Sequence, residues 1–305
     1  MTLPRKAGGM LPCYPSRQGA SCALDSQGEI LSTTFLTRPA NFEAELVGPV
    51  ARIAEAAGAT ILKHYGAGSF AVSHKADASP LTLADLAANA LICKALRDLT
   101  PDVPIVTEET EVPPFALRRK WHRFWLVDPL DGTKEFLSRN GEFTVNIALV
   151  APDRPVLGVV HAPTLQRTYY AVRGGGAWMS NRSEPPQRLC PGTATAPRKL
   201  CIVASRSHGS PDVEAFITRL QDVGHEVECI GAGSSLKFCL CAEGSADIYP
   251  RFGTTMEWDT AAGQIIAEEA GHVVREVNTM KTLSYNKTAL HNPHFVVHPL
   301  NWSLT

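Results

Sequence analysis

From Phe42 to Tyr65 the apolar residues Leu46, Val50, Ile53, Ala54, Ala57, Ile61 and Leu62 recur at helical spacing. That spacing predicts one long amphipathic helix. A second helix is expected to end near Leu99, with Thr82 as its N-cap and Asp85 at the reciprocal capping-box position. The period then shortens. A short strand is predicted at 103–106, and apolar or alternating runs at 125–127, 143–150, 156–160, 168–171 and 176–178 predict a meander of antiparallel strands. The Pro/Thr-rich stretch 185–198 reads as a connection. Beyond it strands at 200–204, 226–230 and 246–249 alternate with helices at 211–223, 234–243 and 259–270. The expected architecture is an α+β half over 41–185 and an α/β half over 186–305, built on a mixed or parallel sheet. Residues 1–40, rich in Pro, Gly and Ser, read as a poorly ordered extension.

Composition narrows the function. The 305 residues carry a formal net charge of −1, which argues against a nucleic-acid or anionic-membrane partner. No apolar run reaches the ~18 residues of a membrane-spanning helix. No apolar segment of ~7–15 residues follows Arg5 and Lys6, so no signal peptide is expected. The eight cysteines are scattered without a C-x-x-C pair. They predict free thiols in a reducing cytoplasm rather than disulfides or a zinc site.

Candidate chemistry gathers at the ends of the predicted elements. The strand at 125–127 runs into Asp128, Pro129, Leu130, Asp131, Gly132 and Thr133. Proline and glycine predict that the strand stops there in a tight turn, with both carboxylates facing one space. Two anions that close repel unless a cation lies between them, and oxygen ligands suit Mg²⁺. Taken alone, the motif is also what an ordinary surface turn looks like. Glu108 follows the strand at 103–106. Asp85 and Asp259 each open a helix, where simple capping competes with a role as site carboxylates. Small residues at 231–235 precede a helix whose free N–H groups suit phosphate. Together these are the parts of metal-assisted phosphate-ester hydrolysis.

The set Glu108-Glu109, D-P-L-D-G-T at 128–133 and W-D-T-A-A-G at 258–263 resembles the signature of the inositol monophosphatase superfamily, from Phe42 to the C-terminus. The segments at 128–136, 140–146, 205–208, 233–239 and 249–253 resemble its bacterial CysQ-type 3′(2′),5′-bisphosphate nucleotidase branch. The resemblance implies a layered αβαβα sandwich with N-terminal helices on an antiparallel sheet and a C-terminal mixed sheet. It implies a Mg²⁺-dependent, lithium-sensitive phosphatase of sulfur metabolism that removes the 3′-phosphate of adenosine 3′,5′-bisphosphate (PAP). Carried over by motif, Glu108, Asp128 and the Leu130 carbonyl hold one Mg²⁺. Asp128, Asp131 and Asp259 hold a second, and there is room for a third, weaker ion near Glu108. Asp85 and Thr133 orient and deprotonate the attacking water, and the Gly132 and Thr133 N–H groups receive the scissile phosphate. Lys237 and Arg251 are the candidates for the second phosphate, Ser205 and His208 lie near the nucleotide, and Ser235 joins Glu108, Leu130, Asp131, Gly132, Thr133 and Asp259 among the substrate-binding residues. Blander readings stand beside these, a snorkelling surface lysine for Lys237 and a solvated strand end for Arg251. The alternative function is an inositol or broad sugar phosphatase with the same metal motifs. The resemblance also raises peripheral attachment to the cytoplasmic face of the inner membrane, and it leaves the oligomeric state open.

Overall fold

The 42–65 stripe becomes α1 (Phe42–Gly66), with Leu46, Val50, Ala54, Ala57 and Ile61 buried along one side. The computed structural model of the chain describes residues 42–66, 72–74, 80–181, 184–191, 199–205 and 211–302. A short antiparallel hairpin follows, β1 (Val72–His74) with β2 (Pro80–Thr82). It leads into α2 (Leu83–Leu99), which packs beside α1. The Thr82–Asp85 capping box forms as the sequence predicts.

Next come β3 (Ile105–Thr107), the single turn α3 (Phe115–Arg118), β4 (Phe124–Asp131) and the short α4 (Thr133–Leu137). The meander continues as β5 (Thr144–Val150), β6 (Pro155–Ala162), β7 (Arg167–Val172), β8 (Gly176–Asn181) and β9 (Glu184–Leu189). Strands β3 to β9 make one seven-stranded sheet in sequence order, with β3 and β4 parallel and the later neighbours antiparallel. The stretch expected as a connection at 185–198 therefore begins inside a strand. β9 is the sheet's edge, where Pro185 and Pro186 cost no essential ladder hydrogen bond.

The second half supplies β10 (Leu200–Ser205), α5 (Pro211–Asp222), β11 (Val227–Ala232), α6 (Leu236–Ala242), β12 (Tyr249–Arg251), α7 (Glu257–Glu269), β13 (His272–Glu276) and β14 (Phe295–Pro299). The expected mixed sheet is realised as a parallel β10–β11 pair and an antiparallel β12-β14-β13 triplet, bridged by Ile202 and Ile248. β13 and β14 are absent from the sequence reading, which ends at the last strong helical period.

The large sheet sorts its side chains by parity, because successive strand residues point to opposite faces. Trp125 and Val127 join the core beneath α1 and α2. Phe124 and Leu126 join the core beneath α6 and α7. A Cβ on Gly158 would lie 2.7 Å from the Ala262 carbonyl, so glycine is what lets α7 lie this close to β6. The layers run α1 and α2, large sheet, α6 and α7, small sheets, then α5 against β11.

Candidate active site

β4 does not stop at Val127. It pairs with β5 as far as Asp131, and the register shifts between Asp128 and Asp131. The expected tight turn is instead a β-bulge followed by a turn one residue later. The difference has a chemical result. Asp128 and Asp131 are three residues apart and of opposite parity, so a regular strand would send them to opposite faces. The extra residue of a bulge re-aims the side chains that follow it. Leu130 accordingly packs in the core under α1 and α2, although Leu126 packs under α7. Asp131 turns to the α6 side, where its Oδ2 meets the Ser235 hydroxyl at 2.8 Å. Gly132 then turns the chain with φ +90°, a conformation glycine adopts without strain.

Four carboxylates converge on that edge. Asp128 is buried, and its Oδ1 accepts the Leu130 N–H at 3.0 Å. Burial, with the negative charges of Glu108, Asp131 and Asp259, holds its carboxyl well above the usual range. Glu108 arrives at the end of β3, where its N–H donates to the Val127 carbonyl at 3.1 Å. Asp259 lies in the first turn of α7 and accepts the Met256 N–H at 2.8 Å. Burial and then Asp131 and Glu108 raise its carboxyl strongly, against the opposing pull of that N–H and of Arg251. Asp259 is thus both a cap and a member of the site. Among the described residues, no three acidic, histidine or cysteine side chains close into a finished metal cage. Glu108 lies close enough to Asp128 to help push the Asp128 carboxyl toward its protonated form. This is how crowded acids relieve repulsion without a cation. The oxygen-only donor set fits a hard divalent ion.

Asp85 caps α2 and also faces Thr133. Its Oδ2 accepts the Thr82 N–H at 2.8 Å, and its Oδ1 faces the Thr133 hydroxyl at 3.5 Å. Thr133 Oγ1 lies 3.4 Å from the Leu130 carbonyl oxygen. Gly132 and Thr133 open α4, whose first N–H groups have no partner within the helix. Opposite the acids is a cationic wall. One cleft of about 120 Å³ is lined by Asp131, Gly132, Ser205, Ser235, Lys237, Arg251 and Asp259. Lys237 is buried, not a surface lysine. Its Nζ donates to the Ser234 carbonyl at 2.7 Å and sits over the Tyr249 ring. Desolvation lowers its pKa to about 8, although Asp131 pulls the other way. Arg251 donates to the Thr254 carbonyl at 3.1 Å, and its buried Nε has no hydrogen-bond partner among the described residues. The expected site residue His208 lies outside the described residues.

The Inositol monophosphatase family profile matches residues 44–301. The chain belongs to the inositol monophosphatase family. The 3′(2′),5′-bisphosphate nucleotidase CysQ of Salmonella typhimurium is 46% identical over 250 residues, which span 81% of this chain and 97% of that one. CysQ of Escherichia coli K12 is 44% identical over 254 residues, 83% of this chain and 99% of that one. The crystal structure of CysQ from Bacteroides thetaiotaomicron superposes with a TM-score of 0.75 at 42% identity, covering 86% of this chain and 99% of that one.

Several residues at this inositol monophosphatase-family site escape sequence reasoning. Glu142 is buried, and its Oε2 accepts the Gly233 N–H at 2.9 Å, tying the loop before α6 to the start of β5. Glu135 and Tyr249 line the cleft. Asn146 and Thr144 lie under the bulge, fully enclosed. Polar residues inside an otherwise apolar strand are the signal that marks the last two.

Proposed function

We propose that the chain is a Mg²⁺-dependent phosphatase that releases the 3′-phosphate of PAP, giving AMP and inorganic phosphate. The carrying observation is that Lys237 and Arg251 share one cleft with Asp131 and Asp259. A monophosphate needs only the acidic edge and its cations. Cations opposite that edge, Lys237 buried and Arg251 half-buried, suit a second phosphate, with arginine able to engage it through two N–H groups. The relatives named as bisphosphate nucleotidases support the same substrate.

We assign Glu108, Asp128 and the Leu130 carbonyl to one Mg²⁺ and Asp128, Asp131 and Asp259 to another. Bound there, Mg²⁺ supplies Lewis-acid stabilisation of the phosphoryl oxygens and a more acidic water. The chain's own groups do the rest. Thr133 donates to Asp85 Oδ1, so its oxygen is free to accept a proton from the attacking water while its own proton passes to Asp85. The 3.5 Å separation must tighten when substrate binds, as often happens between apo and loaded sites. Water oxygen bonds to phosphorus, the bond to the ribose 3′-oxygen breaks, that oxygen takes a proton from solvent water to give the 3′-hydroxyl, and the Gly132 and Thr133 N–H groups orient the phosphate. Free buried thiols such as Cys239 and Cys241 fit a reducing cytoplasm.

The test is phosphate release from PAP, adenosine 3′-monophosphate, inositol monophosphate and fructose 1,6-bisphosphate, with Mg²⁺ and with chelator. PAP turnover should dominate and should vanish with chelator. Clear preference for an inositol or sugar phosphate at matched concentration overturns the substrate assignment.

A further inference from the structure

Asp131 is held from behind by side chains to which neither motif nor family resemblance gives a role. Thr144 and Asn146 lie two apart on β5, so they share the face that meets the β4 bulge. In the register Asn146 is opposite Asp128 and Thr144 is opposite Asp131. Asn146 is 1% exposed and Thr144 fully buried. Asn146 Nδ2 donates to Asp131 Oδ2 at 3.2 Å and to Ser235 Oγ at 2.8 Å. Its Oδ1 accepts the Thr144 hydroxyl at 2.9 Å.

The chemistry fixes the direction of each bond. A carboxylate only accepts, so Asn146 must present its NH₂ to Asp131, and Thr144 must donate to the remaining amide oxygen. Ser235 has one proton and two acceptors, Asp131 Oδ2 at 2.8 Å and the Asp259 carbonyl at 2.7 Å. Whichever it chooses, the Asn146 amide stays on Asp131. Asn146, and Ser235 when its proton points to Asp131, bind Oδ2. Among the described residues Oδ1 accepts no hydrogen bond, which leaves it for a ligand.

We propose that Asn146, oriented by Thr144, is a positioning residue for Asp131: it pins Oδ2 so that Oδ1 is presented to the divalent ion. The inference rests on the metal-dependent reading above. An Asp131 without this anchor can rotate, and the ion is then held more weakly. Partners behind a ligating group typically contribute 10- to 100-fold in metal affinity.

The probe is Mg²⁺ itself, titrated calorimetrically into the metal-free full chain. Asn146→Ala should raise the Mg²⁺ dissociation constant about 10- to 100-fold. KM for PAP at saturating Mg²⁺ should stay near the wild-type value, and turnover should recover as Mg²⁺ is raised. Thr144→Val keeps the strand's shape and removes only the orienting hydroxyl. It should weaken Mg²⁺ in the same direction by a smaller factor, and it carries the test if Asn146→Ala does not fold. Folded variants that bind Mg²⁺ as wild type does overturn the proposal. A wild-type chain that binds Mg²⁺ but leaves PAP intact overturns the substrate reading only, because the titration still reads this inference.

Discussion

The acidic edge and the cationic wall of the cleft meet the same cost in opposite ways. At the edge, Asp128 and Asp259 are buried among like charges and are driven toward their protonated forms. Across the cleft, Lys237 is buried close to a second cation, Arg251, and driven toward its neutral form. Each side is destabilised by charge that the protein does not itself neutralise. Buried charge of that kind is retained at a cost unless a ligand completes it. The acids await cations and the lysine and arginine await anions, so one cleft suits a metal–phosphate ensemble better than either region suits anything alone. The two sides also differ in support. The acids are held by the large sheet and the N-terminus of α7, whereas Lys237 and Arg251 come from α6 and β12 of the smaller C-terminal layers. On the proposed function, the edge would set the reaction and the wall the substrate.

The comparison breaks most sharply at Asp131. Asp131→Asn should lower PAP turnover by about a thousandfold or more, since metal assistance is worth several kcal/mol. In chelator the same variant should melt higher than wild type because one repelling charge is gone. A lower melting temperature there would show that repulsion does not govern the edge. The wall gives a smaller, selective effect. Arg251→Ala and Lys237→Ala should each lower kcat/KM for PAP about 10- to 100-fold, the range of a lost charged hydrogen bond. Adenosine 3′-monophosphate should lose far less, and equal losses would assign both residues to something other than the second phosphate.

The pH responses are smaller still and have opposite signs. Lys237 is charged below about 8 and neutral above it. The preference for PAP over the monophosphate should therefore fall as pH rises through that value. Its desolvation penalty on the fold is full below about 8 and disappears toward the ordinary 10.5, so this group adds stability as pH rises. The acids act the other way. With raised pKa values, the folded metal-free protein holds more protons than the unfolded chain above the ordinary carboxyl value of 3.8. Its melting temperature should fall by a few degrees from about pH 5 to about pH 8 in chelator, and Mg²⁺ should flatten that slope. A slope unchanged by Mg²⁺ would separate the acids from the metal.

Much of this was legible in the chain because it is local. Helical spacing at 42–65, the Thr82–Asp85 box and the meander at 143–178 are all written in periods of a few residues, and all form. The types of residue at 108, 128, 131 and 259 are local in the same way, and they supply the oxygen donors that the proposed metal chemistry uses. β9 escaped because prolines that normally break strands are tolerated at a sheet edge. Asn146 escaped because its meaning depends on what lies across the sheet from it.

The sequence by itself determined which elements form, in what order, and which chemical groups stand at their ends. Only the tertiary structure decided that Asp128 and Asp131 act from one face, since parity alone would part them and the bulge against β5 reunites them. It alone decided that Lys237 is buried beside Arg251 on the same cleft wall, and that Asn146, oriented by Thr144, and Ser235 meet one oxygen of Asp131. The physical reason is range. Propensity and periodicity act over a few residues, while charge repulsion, desolvation and hydrogen-bond direction depend on distances that exist only once the layers have packed.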